Sequence, residues 1–428
     1  MKKIVKVSLL TVLTLNTTLL AEVEEHRARM PSIIQLKTAI NKTFEPELHK
    51  ITSGKDIFSQ GVVSGQIRVG HIHTYSAVEN SANSMSTAIG GQLKYETAIF
   101  NGVNLGVAMY TAQDISSGEG NEFSNYLLSD KKNYAQLAEA YVNYKYESFN
   151  FKGGRQLIDT PLADSNDISM TPHTFEAYVA SYEVNNFTFI GANIQKWQGV
   201  DTIDANGNWD GNSWAQTGEN NRDTWMGAVT YENDIVDASG WYYNIGEMAN
   251  AAYFEALSCI DIKNVEIEYG IQYLNESELD NSNVKGTVIG AWGELIANDF
   301  GLNIAFNQAY SKDDKYIFGG FGGGPFFTNM NLMTADNLSD SHGTATSIVT
   351  GVTYSFDKLN FLAAYGDFRA EAGVSAKAHV SELDVGFEYD FYENANLVFI
   401  YVIGDDKESN AKTEYDNSHI QLIINYNF

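Results

Sequence analysis

The chain has 428 residues with 54 acidic and 27 basic side chains, which give a formal net charge of −27. This acidity argues against a nucleic-acid partner, because binding to phosphate groups requires a basic surface. A single cysteine, Cys259, excludes an intramolecular disulfide framework.

The N-terminus predicts a secretory signal. Three lysines precede an apolar stretch over residues 7–20, and Ala21 precedes the charged sequence EVEEH. The stretch is shorter than the about 20 residues that span a bilayer, so a membrane anchor is the weaker interpretation. We expect residues 1–21 to be a signal peptide that is cleaved after Ala21, and the mature chain to be exported.

Residues 22–60 form a lead before the first predicted strand. The spacing of their apolar side chains predicts a short amphipathic helix or a flexible segment on the periplasmic side, and no separate domain. These side chains follow Pro31 and are Ile33, Ile34, Leu36, Ala39 and Ile40.

From about residue 63 onward, segments with alternating apolar and polar side chains are separated by turn residues. In NVEIEYGIQYLNE, Tyr269 and Ile271 share one strand face, and Glu266 and Glu268 share the other. Alternation over about 10 residues is typical of a strand with one face in lipid and one in water. Strands of soluble sandwiches are usually about 5–6 residues long. We therefore predict an all-β, antiparallel transmembrane barrel over residues 61–428.

Eighteen strands are predicted, and an even number is expected of a single-chain bacterial barrel. They span 63–76, 86–98, 103–112, 135–147, 149–156, 174–184, 186–197, 223–232, 236–247, 250–260, 264–275, 284–295, 300–310, 344–356, 359–369, 380–392, 395–403 and 418–428.

The lengths of the connections follow the strand order. Connections after even-numbered strands are short, whereas those after odd-numbered strands include 113–134, 157–173, 198–222 and 311–343; the connection near 248 is an exception. Short periplasmic turns that alternate with long extracellular loops are typical of a barrel in the Gram-negative outer membrane.

The last ten residues, HIQLIINYNF, continue the alternation up to the terminal Phe428. This strand has to pair with the first one, because an open edge in lipid would leave backbone groups without hydrogen bonds. Its terminal aromatic residue is similar to the signal that outer-membrane barrels present to the barrel assembly machinery, which we therefore expect as a partner.

Three segments resemble the OprD-like outer-membrane porins. They are GQIRVGHIHTY (65–75), GRQLIDTPLADSNDISMTPHTFEAYVASY (154–182) and FGGFGGGPFFTNMN (318–331). The resemblance implies an eighteen-stranded porin that admits small solutes, often charged nutrients such as amino acids or carboxylates. Ser169 stands where that pattern has a basic residue, so an anion-binding role at this position does not carry over.

Residues 157–173 follow an odd-numbered strand and therefore begin at the extracellular rim. We expect this loop to fold into the lumen and narrow it, with carboxylates opposite basic wall residues; a solvated surface loop is the alternative. Opposed charges across a constriction form a selectivity filter. The carboxylates are Asp159, Asp164 and Asp167, and the wall candidates are Arg68, Lys94, Lys152 and Arg155.

Alternation also assigns further charged residues to the lumen. A charge on the lipid side would cost about 2–4 kcal/mol for Arg or Lys at mid-bilayer, so these side chains belong inside. The bases are Arg68, Lys94 and Lys152, and the acids are Glu96, Glu266, Glu268, Asp384, Glu388 and Asp390. Because acids outnumber bases, we predict a mild preference for cations.

The remaining motifs do not favour a phosphate-binding or metal-binding site. The glycines of FGGFGGGPFF lack the Gly-Lys-Ser/Thr ending of a phosphate-binding loop. His71 and His73 share a strand face without a nearby carboxylate or thiol, which favours two rim histidines over a metal site. Residues 201–214 are acidic but lack EF-hand spacing, so a solvated loop is favoured over bound calcium. We expect no metal and no cofactor.

The sequence as a whole favours a passive porin for small, charged hydrophilic solutes. A structural or adhesive barrel without an open pore is the alternative. A barrel enzyme is a weaker one, because Ser341 and His342 are neighbours that point to opposite faces in a strand. Expected partners are outer-membrane lipids and lipopolysaccharide, with the chain a monomer or a homotrimer.

Overall fold

The computed structural model describes residues 47–78, 81–116, 127–128, 133–167, 169–200, 202, 213–311, 315–334, 343–371, 378–409, 413 and 415–428. The predicted signal peptide and most of the lead lie outside this range. Of the lead, Lys50–Ile51 pairs in parallel with Ile99–Phe100, and a single 3-10 turn follows at Gly54–Asp56. No helix within the described residues is long and apolar enough to cross a membrane.

Eighteen long strands form the wall of the molecule. They are β1 (Val62–Ser76), β2 (Ser84–Glu96), β3 (Val103–Asp114), β4 (Tyr134–Tyr146), β5 (Phe149–Gln156), β6 (Thr174–Val184), β7 (Phe187–Gln198), β8 (Thr224–Glu232), β9 (Val236–Ile245), β10 (Ala249–Ile262), β11 (Val265–Glu278), β12 (Gly286–Ala297), β13 (Phe300–Tyr310), β14 (Ala345–Phe356), β15 (Leu359–Ala370), β16 (Ala378–Tyr392), β17 (Ala395–Asp406) and β18 (Asn417–Asn427). All eighteen predicted strands are confirmed, with bounds that differ by at most three residues.

The strands close into a barrel. Each pairs antiparallel with its neighbour in sequence, and β18 pairs antiparallel with β1. Phe428 completes this seam, because its backbone N–H and carbonyl each form a 2.9 Å hydrogen bond with the backbone of Gly65. Closure leaves no unpaired edge, as a β-structure that spans a membrane requires. The predicted fold class is therefore confirmed.

Short turns connect the even-numbered strands to the following strands. Six of these turns place a non-glycine residue in the left-handed region, with φ between 50° and 61° at Asn101, Glu147, Asn185, Lys263, Asn298 and Asp357. Four of these six are Asn or Asp, which tolerate that region and favour two-residue hairpins. The short connection near 248 is confirmed as well, because Ile245 pairs with Ala249 across it.

The two faces of the wall differ in chemistry. In β11, Tyr269, Ile271 and Tyr273 are exposed on the outer face, whereas Glu268 and Gln272 are buried on the inner face. The alternation predicted for this segment is therefore confirmed. Because the barrel is closed, the exposed apolar face is its outside and the polar face lines its interior.

Candidate functional site

Arg68 links the wall to residues 157–173. It lies in β1 on the inner face and is fully buried. Its guanidinium binds the Asp167 carboxylate in bidentate fashion, with Nη1–Oδ1 at 2.5 Å and Nη2–Oδ2 at 2.8 Å. It also donates to the Ser169 carbonyl and to Asn425 Oδ1, each at 2.7 Å. A buried bidentate pair of this kind is a strong, directional contact.

The other two aspartates of this loop stabilise its own conformation. Asp159 accepts hydrogen bonds from the backbone N–H and the hydroxyl of Ser165. Asp164 accepts one from the backbone N–H of Asn166 at 2.9 Å. Among these contacts, Asp167 is therefore the predicted carboxylate that pairs with a basic wall residue, Arg68.

A second cluster lies on the inner faces of β2, β4 and β5. The Lys94 ammonium is 3.3 Å from Glu139, and the Tyr141 hydroxyl donates to Glu96 at 2.5 Å. The Lys152 ammonium lies 4.0 Å from the centroid of the Tyr141 ring. The structure thus brings together three of the predicted residues, around a tyrosine that sequence reasoning missed.

Glu139 was missed because a β-bulge interrupts the alternation. The register between β3 and β4 shifts where Ala108 pairs with Glu139 and Met109 with Leu137. Leu137 is exposed on the outer face and Glu139 is buried inside, although both positions have the same parity. A strict alternation of faces along the strand therefore assigns one of these two side chains to the wrong face.

Arg155 differs from its predicted role as an inner wall residue. It is registered opposite Glu176 in β6, and its Nε lies 3.7 Å from that carboxylate. Its guanidinium also covers the Trp214 ring at 4.6 Å and donates to the Leu137 carbonyl. Glu176 has the same parity as Tyr178 and Tyr182, which are exposed on the outer face, so its partner Arg155 lies on that face too. Arg155 is three residues from the inward Lys152, and an odd separation in a regular strand places side chains on opposite faces.

Acidic residues line the wall on the other side of the barrel. Glu268 in β11 is registered directly opposite Glu294 in β12, and both are buried on the inner face. Glu266 lies one step nearer the short turn on the same face. β11 is ten strands from β1 in a ring of eighteen, so these acids lie across the barrel from Arg68. Glu294 shares the alternation of β12 and could have been found from it.

Residues 315–334 also contact the inner wall. The Phe327 N–H donates to Gln272 Oε1 at 3.1 Å. The N–H groups of Leu332 and Met333 donate to the two carboxylate oxygens of Glu382 at 2.8 and 2.7 Å. The predicted residue Asp384 accepts a longer bond of 3.3 Å from the Asn331 N–H.

Glu388 and Asp390 lie lower in β16, near the short turn at its end. Glu388 accepts hydrogen bonds from Asn396 at 3.0 Å and Asn360 at 3.4 Å. Asp390 lies where a register shift begins towards Tyr392. These two acids therefore occupy the short-turn side of the inner face, away from residues 315–334.

Residues 157–173 and residues 315–334 also contact each other. The Asp164 N–H donates to the Phe321 carbonyl, and the Phe321 N–H donates to the Leu162 carbonyl, both at 3.0 Å. Phe321 and Leu162 belong to one buried apolar cluster with wall residues that include Trp241 and Trp292. The described residues of 157–173 and residues 315–334 are thus packed together against the wall.

The sites that the sequence disfavoured are only partly described. His71 Nδ1 lies 2.8 Å from Thr87 Oγ1, and His73 stacks on Tyr75 with ring centroids 3.8 Å apart. Most of the acidic loop 201–214 and the pair 341–342 lie outside the described residues. Within the described part of the chain, no three His, Cys, Asp or Glu side chains are placed to hold a metal ion.

The fold and its inner face define a closed, eighteen-stranded antiparallel barrel with a charged interior. Solved structures of OprD/Occ-family porins share this architecture, so the predicted resemblance is confirmed at the level of the fold. No protein-family model matches the chain, and neither does any curated protein.

Three of these structures illustrate the similarity. OccK9 (OpdG) of Pseudomonas aeruginosa is 14% identical with a TM-score of 0.73, covering 87% of this chain and 99% of that one. OccAB1 of Acinetobacter baumannii is 14% identical with a TM-score of 0.72, covering 90% and 99%. OpdK of Pseudomonas aeruginosa, solved with vanillate, is 12% identical with a TM-score of 0.73, covering 87% and 99%. All three are channels and not enzymes.

Proposed function

We propose that this protein is an outer-membrane porin through which small, charged hydrophilic solutes and ions diffuse passively. The observation that carries the proposal is the closed barrel with an apolar outside and a charged inside. An apolar band faces lipid, whereas buried acids and bases would be costly there and are suited to a water-filled lumen. A barrel enzyme was one of the alternatives considered from the sequence. It has no support in the structurally similar proteins, which are porins.

The proposed constriction consists of residues 157–173 together with residues 315–334. The bidentate Arg68–Asp167 contact and the Glu382 contacts with Leu332 and Met333 support it. Both segments then narrow the lumen from the wall, and the selectivity filter lies where they face the remaining wall residues.

The charges around this constriction favour cations. Arg68 and Lys94 are each engaged with a carboxylate, so their positive charge is compensated locally. Across the barrel, Glu268 and Glu294 are like charges side by side. The surplus of negative charge attracts cations into the lumen and repels anions. Cationic or zwitterionic solutes are therefore the proposed class.

Swelling of liposomes tests the diffusion of solutes. Mature protein in liposomes should admit lysine faster than glutamate, which is of similar size, and should exclude a pentasaccharide. Protein-free liposomes provide the baseline. Equal rates for lysine and glutamate would contradict the charge preference, and a baseline rate for every solute would contradict an open pore.

The apolar packing between the two segments favours a second candidate, a structural or adhesive barrel with a closed lumen. Buried Phe326, Phe327 and Met330 contribute to the same cluster as Phe321 and Leu162. A barrel of this kind would fold and insert in the same way but would show no conductance. Conductance therefore distinguishes the two candidates.

A further inference from the structure

The outer face of β15, β16 and β17 ends in a row of three basic side chains. Arg369 in β15 is registered opposite His379 in β16. The N–H of Lys407, directly after β17, donates to the His379 carbonyl at 2.7 Å. Neighbouring strands lie about 4.8 Å apart, so the three side chains span roughly 10 Å along one line. This row lies at the end of the barrel that carries the long loops.

Two aspartates in the next row hold these basic side chains in place. Asp367 binds Arg369, with Nε–Oδ1 at 2.6 Å, and His379, with Nε2–Oδ2 at 2.8 Å. Asp405 contacts the Lys407 ammonium. The side chain of Arg369 remains 66% exposed, whereas that of Asp367 is 27% exposed. The aspartates therefore orient the basic groups. Arg369 and Lys407, at 66% and 40% exposed, stay accessible from outside, whereas the paired Arg68 and Lys94 of the interior are only 0% and 13% exposed.

Below the aspartates, the same face is apolar. Successive cross-strand rows are Tyr365–Leu383–Ile403, Ala363–Val385–Tyr401 and Phe361–Phe387–Phe399. The eight-residue interval from Phe361 to Arg369 is about 27 Å along the strand, and roughly 20 Å along the barrel axis at a tilt of about 40°. Because the apolar band of such barrels is about 25 Å tall, the basic row lies at its extracellular boundary.

We propose that the row Arg369–His379–Lys407 binds the phosphate groups of lipopolysaccharide in the outer leaflet. Guanidinium groups bind phosphate in bidentate fashion, and lysine adds a point charge. The acyl chains of the same molecule would cover the apolar rows below, which a free phosphate could not do. This inference rests on the proposed function in one respect, the insertion of the barrel into the outer membrane.

Titration of the full mature protein with lipid A in detergent tests this site. Diphosphoryl lipid A and its dephosphorylated form are compared in buffer with EDTA, which removes bridging divalent cations. The R369Q/K407Q variant is expected to bind diphosphoryl lipid A about tenfold more weakly or worse. The control K263Q/K358Q removes the same charge from exposed residues in short turns at the opposite end, and should bind like the wild type.

Three results would overturn the proposal. They are unchanged binding by R369Q/K407Q, an equal loss in K263Q/K358Q, and equal binding of the two lipids by the wild type. The last comparison needs no variant, so the test does not depend on the folding of R369Q/K407Q. Conductance is recorded on the same preparations: a barrel that conducts without binding lipid A contradicts this site alone, and one that binds without conducting contradicts the pore alone.

Discussion

At the scale of single residues, the buried pair Arg68–Asp167 is the contact where one substitution should have the largest effect. Arg68→Ala leaves the Asp167 carboxylate buried without its bidentate partner. Breaking a buried pair from one side typically costs about 3–5 kcal/mol. We expect a lower unfolding temperature, measured by the loss of heat-modifiable migration in gels. Larger conductance steps should accompany it as residues 157–173 detach from β1.

Two further variants control this prediction. Arg68→Met/Asp167→Leu removes both charges and should recover much of the lost stability, because a buried pair replaced by apolar groups is often neutral. Arg155→Ala removes a partly exposed arginine on the outer face, where ion pairs contribute about 0–1 kcal/mol. Its conductance should equal that of the wild type. An Arg68→Ala variant as stable as Arg155→Ala would contradict the role of the pair.

The face on which an individual side chain lies was predictable wherever the alternation is regular. The parity of β1 and β11 correctly places Arg68 and Glu268 inside. Arg155 was misplaced, because its odd separation from the inward Lys152 assigns it to the outer face. Glu139 could not be found, since the bulge in β4 changes the parity without a signal in the sequence.

At the scale of elements, the strands were predictable, whereas the individual contacts of residues 157–173 and 315–334 were not. A strand repeats its pattern over ten or more residues and ends at recognisable turn residues. Residues 157–173 and 315–334 have no periodicity, and their course depends on contacts distant in sequence. The bond from the Met333 N–H to Glu382, for example, joins positions 49 residues apart.

The seam between β18 and β1 carries a prediction about assembly. The Phe428 side chain packs next to Gly65, and its backbone pairs with that residue. Phe428→Ser should lower the amount of folded barrel in the outer membrane several-fold, because closure and presentation of the last strand are both impaired. Heat-modifiable protein in isolated outer membranes is the measurement.

Phe356→Ser is the matched control for this prediction. Phe356 is also an exposed aromatic residue at a short turn, but it lies inside the chain and takes no part in the seam. We expect it to reach nearly wild-type levels. Equal losses for the two variants would mean that a general aromatic contribution, and not the terminal position, determines assembly.

At the scale of the whole molecule, the asymmetry of the inner face is the feature on which the proposed selectivity depends. Arg68 and Lys94 lie on β1 and β2, and the acidic pair Glu268–Glu294 lies on β11 and β12 across the ring. Net charge alone could not reveal this, because it does not say which strand or which face holds each acid. The placement follows from the strand count and the register together.

Single-channel recording of the mature protein in a planar bilayer under a KCl gradient tests the central claim most directly. An open porin gives steady ohmic steps, and the sign of its reversal potential should indicate a preference for K⁺. Glu268→Gln/Glu294→Gln should move that potential towards zero without abolishing the steps. Folded, heat-modifiable protein that gives no conductance would contradict the open channel, and a reversal potential of the opposite sign would contradict its preference for cations.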